Sequence, residues 1–155
     1  LTGHLVLSTL HTNDSPGAIT RMIDMGVEPY LLSSALIGVI AQRLVRTICP
    51  DCKTSYVAEP ELVARFGWEE GKSVRLARGR GCSECYDSGY RGRIAIHETL
   101  QTDPELQRLV VSNPSKDQLS EFLASREIPT LFDDGLQRVL GQATTVEEVS
   151  RVISA

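Results

Sequence analysis

All four cysteines of the chain fall into two matched pairs, Cys49-Pro-Asp-Cys52 and Cys82-Ser-Glu-Cys85. A two-residue gap lets both sulfurs of a pair curl around one ion, and two such pairs fill a tetrahedral thiolate shell. No coordination position is then left for water or substrate. Cys49, Cys52, Cys82 and Cys85 therefore read as the ligands of a structural Zn2+, a staple and not a reaction centre. A disulfide framework suits a small secreted domain, but no stretch here has the apolar core of a signal peptide. A redox C-x-x-C comes once, beside a βαβ pattern, and not as a matched pair. The segment between the pairs, residues 53–81, is longer than the about 15–20 residues of a common zinc ribbon, so it must carry structure of its own.

The remaining composition is that of a globular chain with one ordinary core or two small ones. The formal charge of −4 is unevenly spread. Residues 1–48 hold three basic and three acidic side chains, residues 49–93 eight and seven, and residues 94–155 five and ten. The acidic excess lies wholly in the last segment, which argues against nucleic acid as a partner. Reduced cysteines suit a cytoplasmic location. The longest apolar stretch, around Leu31–Ala41, is broken by Ser33 and Ser34 and is too short to span a bilayer.

Thr2-Gly3 reads as a turn, and Leu5-Val-Leu-Ser-Thr-Leu10 as a strand buried on both faces of a parallel sheet. Nothing after it supplies the alternation of strand and helix that such a sheet requires, so its neighbours are expected from a part of the protein N-terminal to Leu1. His11-Thr-Asn-Asp14 follows at the strand's carboxyl end, where ligands bind in open α/β sheets. His11 is thus a candidate site residue, while His4, at the opposite end, reads from periodicity as a turn residue. Ser15-Pro16 opens a helix capped by Asp14 or Ser15, with Ile19, Met22 and Ile23 on its apolar face and Gly26 at its close.

A second helix is expected from Pro29 to about Val39, then a half-exposed strand over Gln42–Ile48 that delivers the chain to Cys49. The joint role of Arg43 and Arg46 is left open. Inside the insert, a short helix from Glu59-Pro60 to Phe66 and a strand over Val74–Ala77 are expected. Gly67-Trp-Glu-Glu-Gly71-Lys72-Ser73 looks like a phosphate-binding loop but is one residue short, carries two carboxylates and follows no apolar strand, so it is a decoy. Arg75, Arg78, Arg80, Arg91 and Arg93 make a basic patch that nearby acids nearly cancel. A strand is expected over Tyr90–His97, with His97 structural. From Asp103 onward four short helices are expected, opened by Asp103-Pro104, Ser115-Lys-Asp-Gln118, about Leu131, and Thr145-Val-Glu-Glu148.

Gly3-His-Leu-Val-Leu-Ser-Thr-Leu-His-Thr-Asn13-Asp14 resembles the histidine box of the secretion ATPases, the hexameric motors of type II secretion and type IV pilus assembly. Ala41-Gln-Arg-Leu-Val-Arg46, the tetracysteine and Ser88-Gly-Tyr-Arg-Gly-Arg93 follow in the family's order, and Asp133-Asp-Gly-Leu136 with Thr144-Thr-Val-Glu-Glu148 resembles its tail. The resemblance implies an α/β chain in three parts: residues 1–48 as the C-terminal part of a RecA-like core, 49–93 as a zinc module, and 94–155 as a helical tail. It further implies ATP and Mg2+ bound in the intact protein, mainly by groups preceding Leu1, with His11 as the γ-phosphate sensor and His4 as an accessory box histidine. It also implies a homo-hexamer acting on assembly-platform proteins, peripheral at the inner membrane. The competing reading is a non-enzymatic zinc-ribbon module that binds protein or nucleic acid. The Leu5–Leu10 run separates the two, because a self-contained ribbon has no use for it.

Overall fold

A computed structural model describes residues 3–68 and 73–154. Thr2 of the expected turn, and Glu69, Glu70, Gly71 and Lys72 at the centre of the phosphate-loop look-alike, lie outside the described residues. The elements run α1 (Ser15–Asp24), α2 (Pro29–Ala35), β1 (Gly38–Ile48), β2 (Lys53–Val57), α3 (Pro60–Arg65), β3 (Arg75–Gly79), β4 (Tyr90–Gln101), α4 (Pro104–Val111), α5 (Lys116–Ser125), α6 (Leu131–Leu140) and α7 (Val146–Ile153). The architecture is mixed α/β, with β1 paired to β4 and β2 paired to β3. By contact the chain forms two compact units, Leu1–Gln42 with His97–Leu131, and Arg43–Ile96 with Phe132–Ala155.

In the first unit, Ile19, Leu32, Leu100, Leu106, Val110, Leu119 and Leu123 form one buried cluster. The helices that supply it start where their chemistry dictates. Asp14 caps α1 by accepting the Gly17 N–H, with Pro16 in the first turn. Asp103 caps α4 by accepting the N–H groups of Glu105 and Leu106. Ser115 and Gln118 satisfy each other's backbone N–H at the start of α5, the reciprocal arrangement their spacing predicts.

Two expectations fail in this unit. The strand expected at Leu5–Leu10 is not formed: residues 4–12 have no regular secondary structure. Leu5, Val6 and Leu7 are 71, 78 and 88% exposed. A strand exists only by pairing, and among the described residues none pairs with this run. The second helix also ends early, at Ala35, because Leu36 turns extended and β1 begins at Gly38. The Ile37 carbonyl then accepts the Thr102 N–H at 2.9 Å. The β-branched Val39 and Ile40 belong to this strand and not to a helix.

In the second unit, β2 and β3 form an antiparallel hairpin in the register Lys53↔Gly79 to Val57↔Arg75. The helix α3 sits in the loop between them, so the long insert has its own fold as its length demands. Val45, Ile48, Leu76, Ile96, Val139 and Val149 are buried. The helices α6 and α7 approach closely at Gly135, where a Cβ would lie 2.5 Å from Val149 Cγ1. Phe66 and Phe132 pack with ring planes tilted by 50° and centroids 5.8 Å apart. The four expected C-terminal helices are thus all present, α4 and α5 in the first unit and α6 and α7 in the second.

Candidate metal centre

The four cysteine sulfurs converge to within 4.8 Å of one another. Cys49 and Cys82 are 3.9 Å apart at Sγ, Cys52 and Cys85 3.9 Å, and Cys82 and Cys85 3.7 Å. A tetrahedron with metal–sulfur bonds of about 2.3 Å has edges of about 3.8 Å, so these separations fit a bound ion. They are far too long for disulfides, and all four cysteines are free. Cys49, Cys52 and Cys85 are buried and Cys82 is half-buried, which leaves little room for an exchangeable ligand.

Each pair sits in a tight turn that aims backbone amides at sulfur. The second pair is built on a 3-10 turn, Ser83–Cys85, followed by Tyr86 and Asp87 in the left-handed region with φ of 51° and 59°. That path lets the N–H groups of Cys82 and Gly89 both donate to Cys85 Sγ at 3.3 Å. Burial alone would push the Cys85 thiol up, but these donors and the neighbouring thiols outweigh it and bring it down to about 7. Cys82 goes the other way: burial pushes its thiol up to about 12.

One backbone crossing joins the two turns. The Gly89 carbonyl accepts the Cys49 N–H at 2.9 Å, while the Gly89 N–H serves Cys85. Gly79, at the end of β3, lies against this peptide so closely that a Cβ there would stand 2.0 Å from Gly89 O. Gly89 itself has φ +75°, which favours glycine. Outside the sulfurs, Arg91 pairs with Asp51 at 3.0 Å and approaches Glu84 at 3.8 Å, so its charge is spent locally.

His4 and His11 are both exposed, on the segment that precedes α1. Arg46, whose role the sequence left open, belongs to a polar cluster around the buried Glu148 in the second unit. Glu148 accepts the Arg46 backbone N–H at 3.0 Å and its guanidinium at 2.7 Å, together with Arg151 at 2.7 and 2.9 Å. Burial alone would raise the Glu148 carboxyl, but the two guanidiniums hold it down at about 2. Arg46 also lies 4.3 Å from the Tyr90 ring centre, and the Tyr90 hydroxyl meets Thr145 Oγ1 at 2.7 Å. Sequence reasoning reads Thr145–Glu148 as a reciprocal capping box. Only half of it forms: Thr145 accepts the Glu148 N–H, but the Glu148 carboxylate turns to the guanidiniums. Charge-assisted pairs outcompete a single neutral N–H.

The described residues thus define a mixed α/β chain that holds a four-sulfur centre suited to a structural metal. The model of the family described as "Type II/IV secretion system protein" matches residues 1–151, and the chain belongs to that family. It is 49% identical over 152 residues to "Type II secretion system protein E" of Pseudomonas aeruginosa and equally to "Type II secretion system ATPase E" of Vibrio cholerae. Those alignments cover 98% of this chain and 30% of each relative. It is also 47% identical over 151 residues to "Type IV pilus assembly ATPase PilB" of Thermus thermophilus, covering 96% of this chain and 17% of that protein. The chain therefore spans under a third of the length of the relatives it matches. No helix among the described residues is long and apolar enough to cross a membrane.

Proposed function

We propose that this chain works as the C-terminal portion of a hexameric cytoplasmic ATPase that drives pseudopilus or pilus assembly at the inner membrane. The observation that carries this reading is the 49% identity over 152 residues to a protein named a type II secretion system ATPase. In this reading residues 1–48 complete a RecA-like core, residues 49–93 are a zinc module, and residues 94–155 follow as a helical segment. The exposed Leu5-Val6-Leu7 run supports it, since an apolar segment left open in this chain suits strands supplied by residues outside it. The partners are further copies of the protein in a ring and the platform proteins that the motor acts on, through which it associates peripherally with the membrane.

Cys49, Cys52, Cys82 and Cys85 hold Zn2+ in this proposal, and the ion supplies folding energy and no chemistry. Phosphoryl transfer depends on positioned backbone amides, a lysine and Mg2+. Those groups lie outside this chain; its own contribution is His11, placed to sense the γ-phosphate, with His4 accessory. The 155 residues alone are inactive. Comparing ATP turnover by this chain alone and by the full-length protein tests the proposal. Turnover only in the full-length protein is expected. Hydrolysis by the short chain that vanishes on Lys72→Ala would overturn it.

A further inference from the structure

Glu98 is a carboxylate with 4% exposure near the end of β4, and it is spent on the first residue of α1. Its Oε1 accepts the backbone N–H of Ser15 at 2.9 Å and also the Ser15 hydroxyl. Its Oε2 accepts the Leu131 N–H at 3.4 Å. Ser15 is wholly buried. A carboxylate at a helix N-terminus is electrostatically favoured, yet burying one to hold Ser15 and the Leu131 N–H gains little over apolar packing. What it supplies is location.

A second tie acts one residue earlier. Asp14 accepts the Gly17 N–H at 2.8 Å and pairs with Lys116 of α5 at 2.7 Å. A Cβ on Gly17 would lie 2.8 Å from Asp14 Oδ1, so the cap depends on glycine there. The Thr12 hydroxyl donates to the Asp14 carbonyl at 3.4 Å, which ties the residue after His11 to the anchored turn. Elements from the far end of the sequence, β4 and α5, thus fix the base of the segment that carries His11.

We infer that Glu98 is a positioning residue for the His11–Asp14 segment, acting through Ser15, and that Lys116 assists it through Asp14. The consequence for turnover rests on the proposed reading of His11 as a nucleotide sensor; the anchoring itself does not. Loss of the carboxylate leaves the Ser15 N–H and hydroxyl buried without their acceptor and frees the segment to move.

Hydrogen exchange of the 155-residue protein tests the anchor. Glu98→Met keeps much of the side chain's length but removes both acceptor oxygens, so neither Ser15 contact can re-form. It should speed exchange of the Ser15 amide about tenfold, with the second unit unchanged. Ser15→Ala removes only the hydroxyl contact and keeps the test open if Glu98→Met does not fold; it should speed exchange at Gly17 and Ala18. Unchanged exchange in a folded variant overturns the anchor.

In the full-length protein, Glu98→Met should lower kcat while ADP affinity stays within a few-fold of normal, and the exposed Glu121→Gln should change neither. If His11→Ala lowers turnover and Glu98→Met does not, the positioning role is wrong. If His11→Ala has no effect, the sensing reading fails, and the anchor is then decided by exchange alone.

Discussion

Glu148 and Arg46 stand 102 positions apart in sequence and share two hydrogen bonds, one to the arginine's backbone N–H and one to its guanidinium. The same arginine's carbonyl accepts the Thr144 hydroxyl at 2.8 Å, and the Ile48 N–H reaches the Ala143 carbonyl at 2.9 Å. Residues 143–148 therefore cover backbone groups of β1 that would otherwise be an unpaired edge. The contact is made by a carboxylate with no exposed surface, so its loss is expensive.

Glu148→Gln should cost about 3 kcal/mol at neutral pH, read as a lowered urea midpoint, because both guanidiniums lose their counter-charge. The pH dependence has a definite sign. The folded-state carboxyl lies at about 2 against an ordinary 4.5, so its stabilisation is complete above about pH 5 and is lost as pH falls toward 2. The gap between wild type and Glu148→Gln should therefore narrow on acidification through that window. A gap independent of pH would contradict the assignment.

Gly79→Ala should damage the metal centre without touching a ligand. Its Cβ would stand 2.0 Å from Gly89 O, and backbone cannot yield by that much without moving the Cys49 and Cys85 contacts that Gly89 makes. Zinc release to a chromogenic chelator should speed up about 10–100-fold, as for other losses of supporting contacts. Release at the wild-type rate would show the crossing to be incidental.

Cys82→Ser removes the least buried sulfur of the four. Elemental analysis of reduced wild-type protein should find about one zinc per chain, and the variant clearly less. The variant should also loosen residues 49–93, seen as faster hydrogen exchange there. Absence of zinc from freshly purified wild-type protein would sink the structural-ion claim.

The metal-type cluster was the most legible feature, because C-x2-C spacing is a local geometric constraint that the chain cannot evade. Helix starts at Asp14-Ser15-Pro16, Asp103-Pro104 and Ser115–Gln118 were legible for the same reason: a cap is satisfied within four residues. The strand β2 was missed although Thr54, Tyr56 and Val57 favour strands, since its partner β3 lies across the insert. The roles of Glu148 toward Arg46 and of Glu98 toward Ser15 could not be read from sequence, because those partners are 102 and 83 residues away. The Leu5–Leu10 run shows the converse limit. Its composition fits a buried strand, but a strand needs neighbours, and the described residues offer none.

The central claim is that His11 serves a nucleotide site completed by the rest of a secretion motor. Steady-state ATP turnover of the full-length, correctly assembled His11→Ala protein, measured with its ADP affinity, tests it most directly. A γ-phosphate sensor contributes in the transition state more than to binding of the diphosphate, so kcat should fall about tenfold or more. ADP affinity should stay within a few-fold of normal. His4→Ala separates a box histidine, which would change turnover, from a turn residue, which would change stability alone. Normal turnover in a correctly assembled His11→Ala protein would contradict the claim.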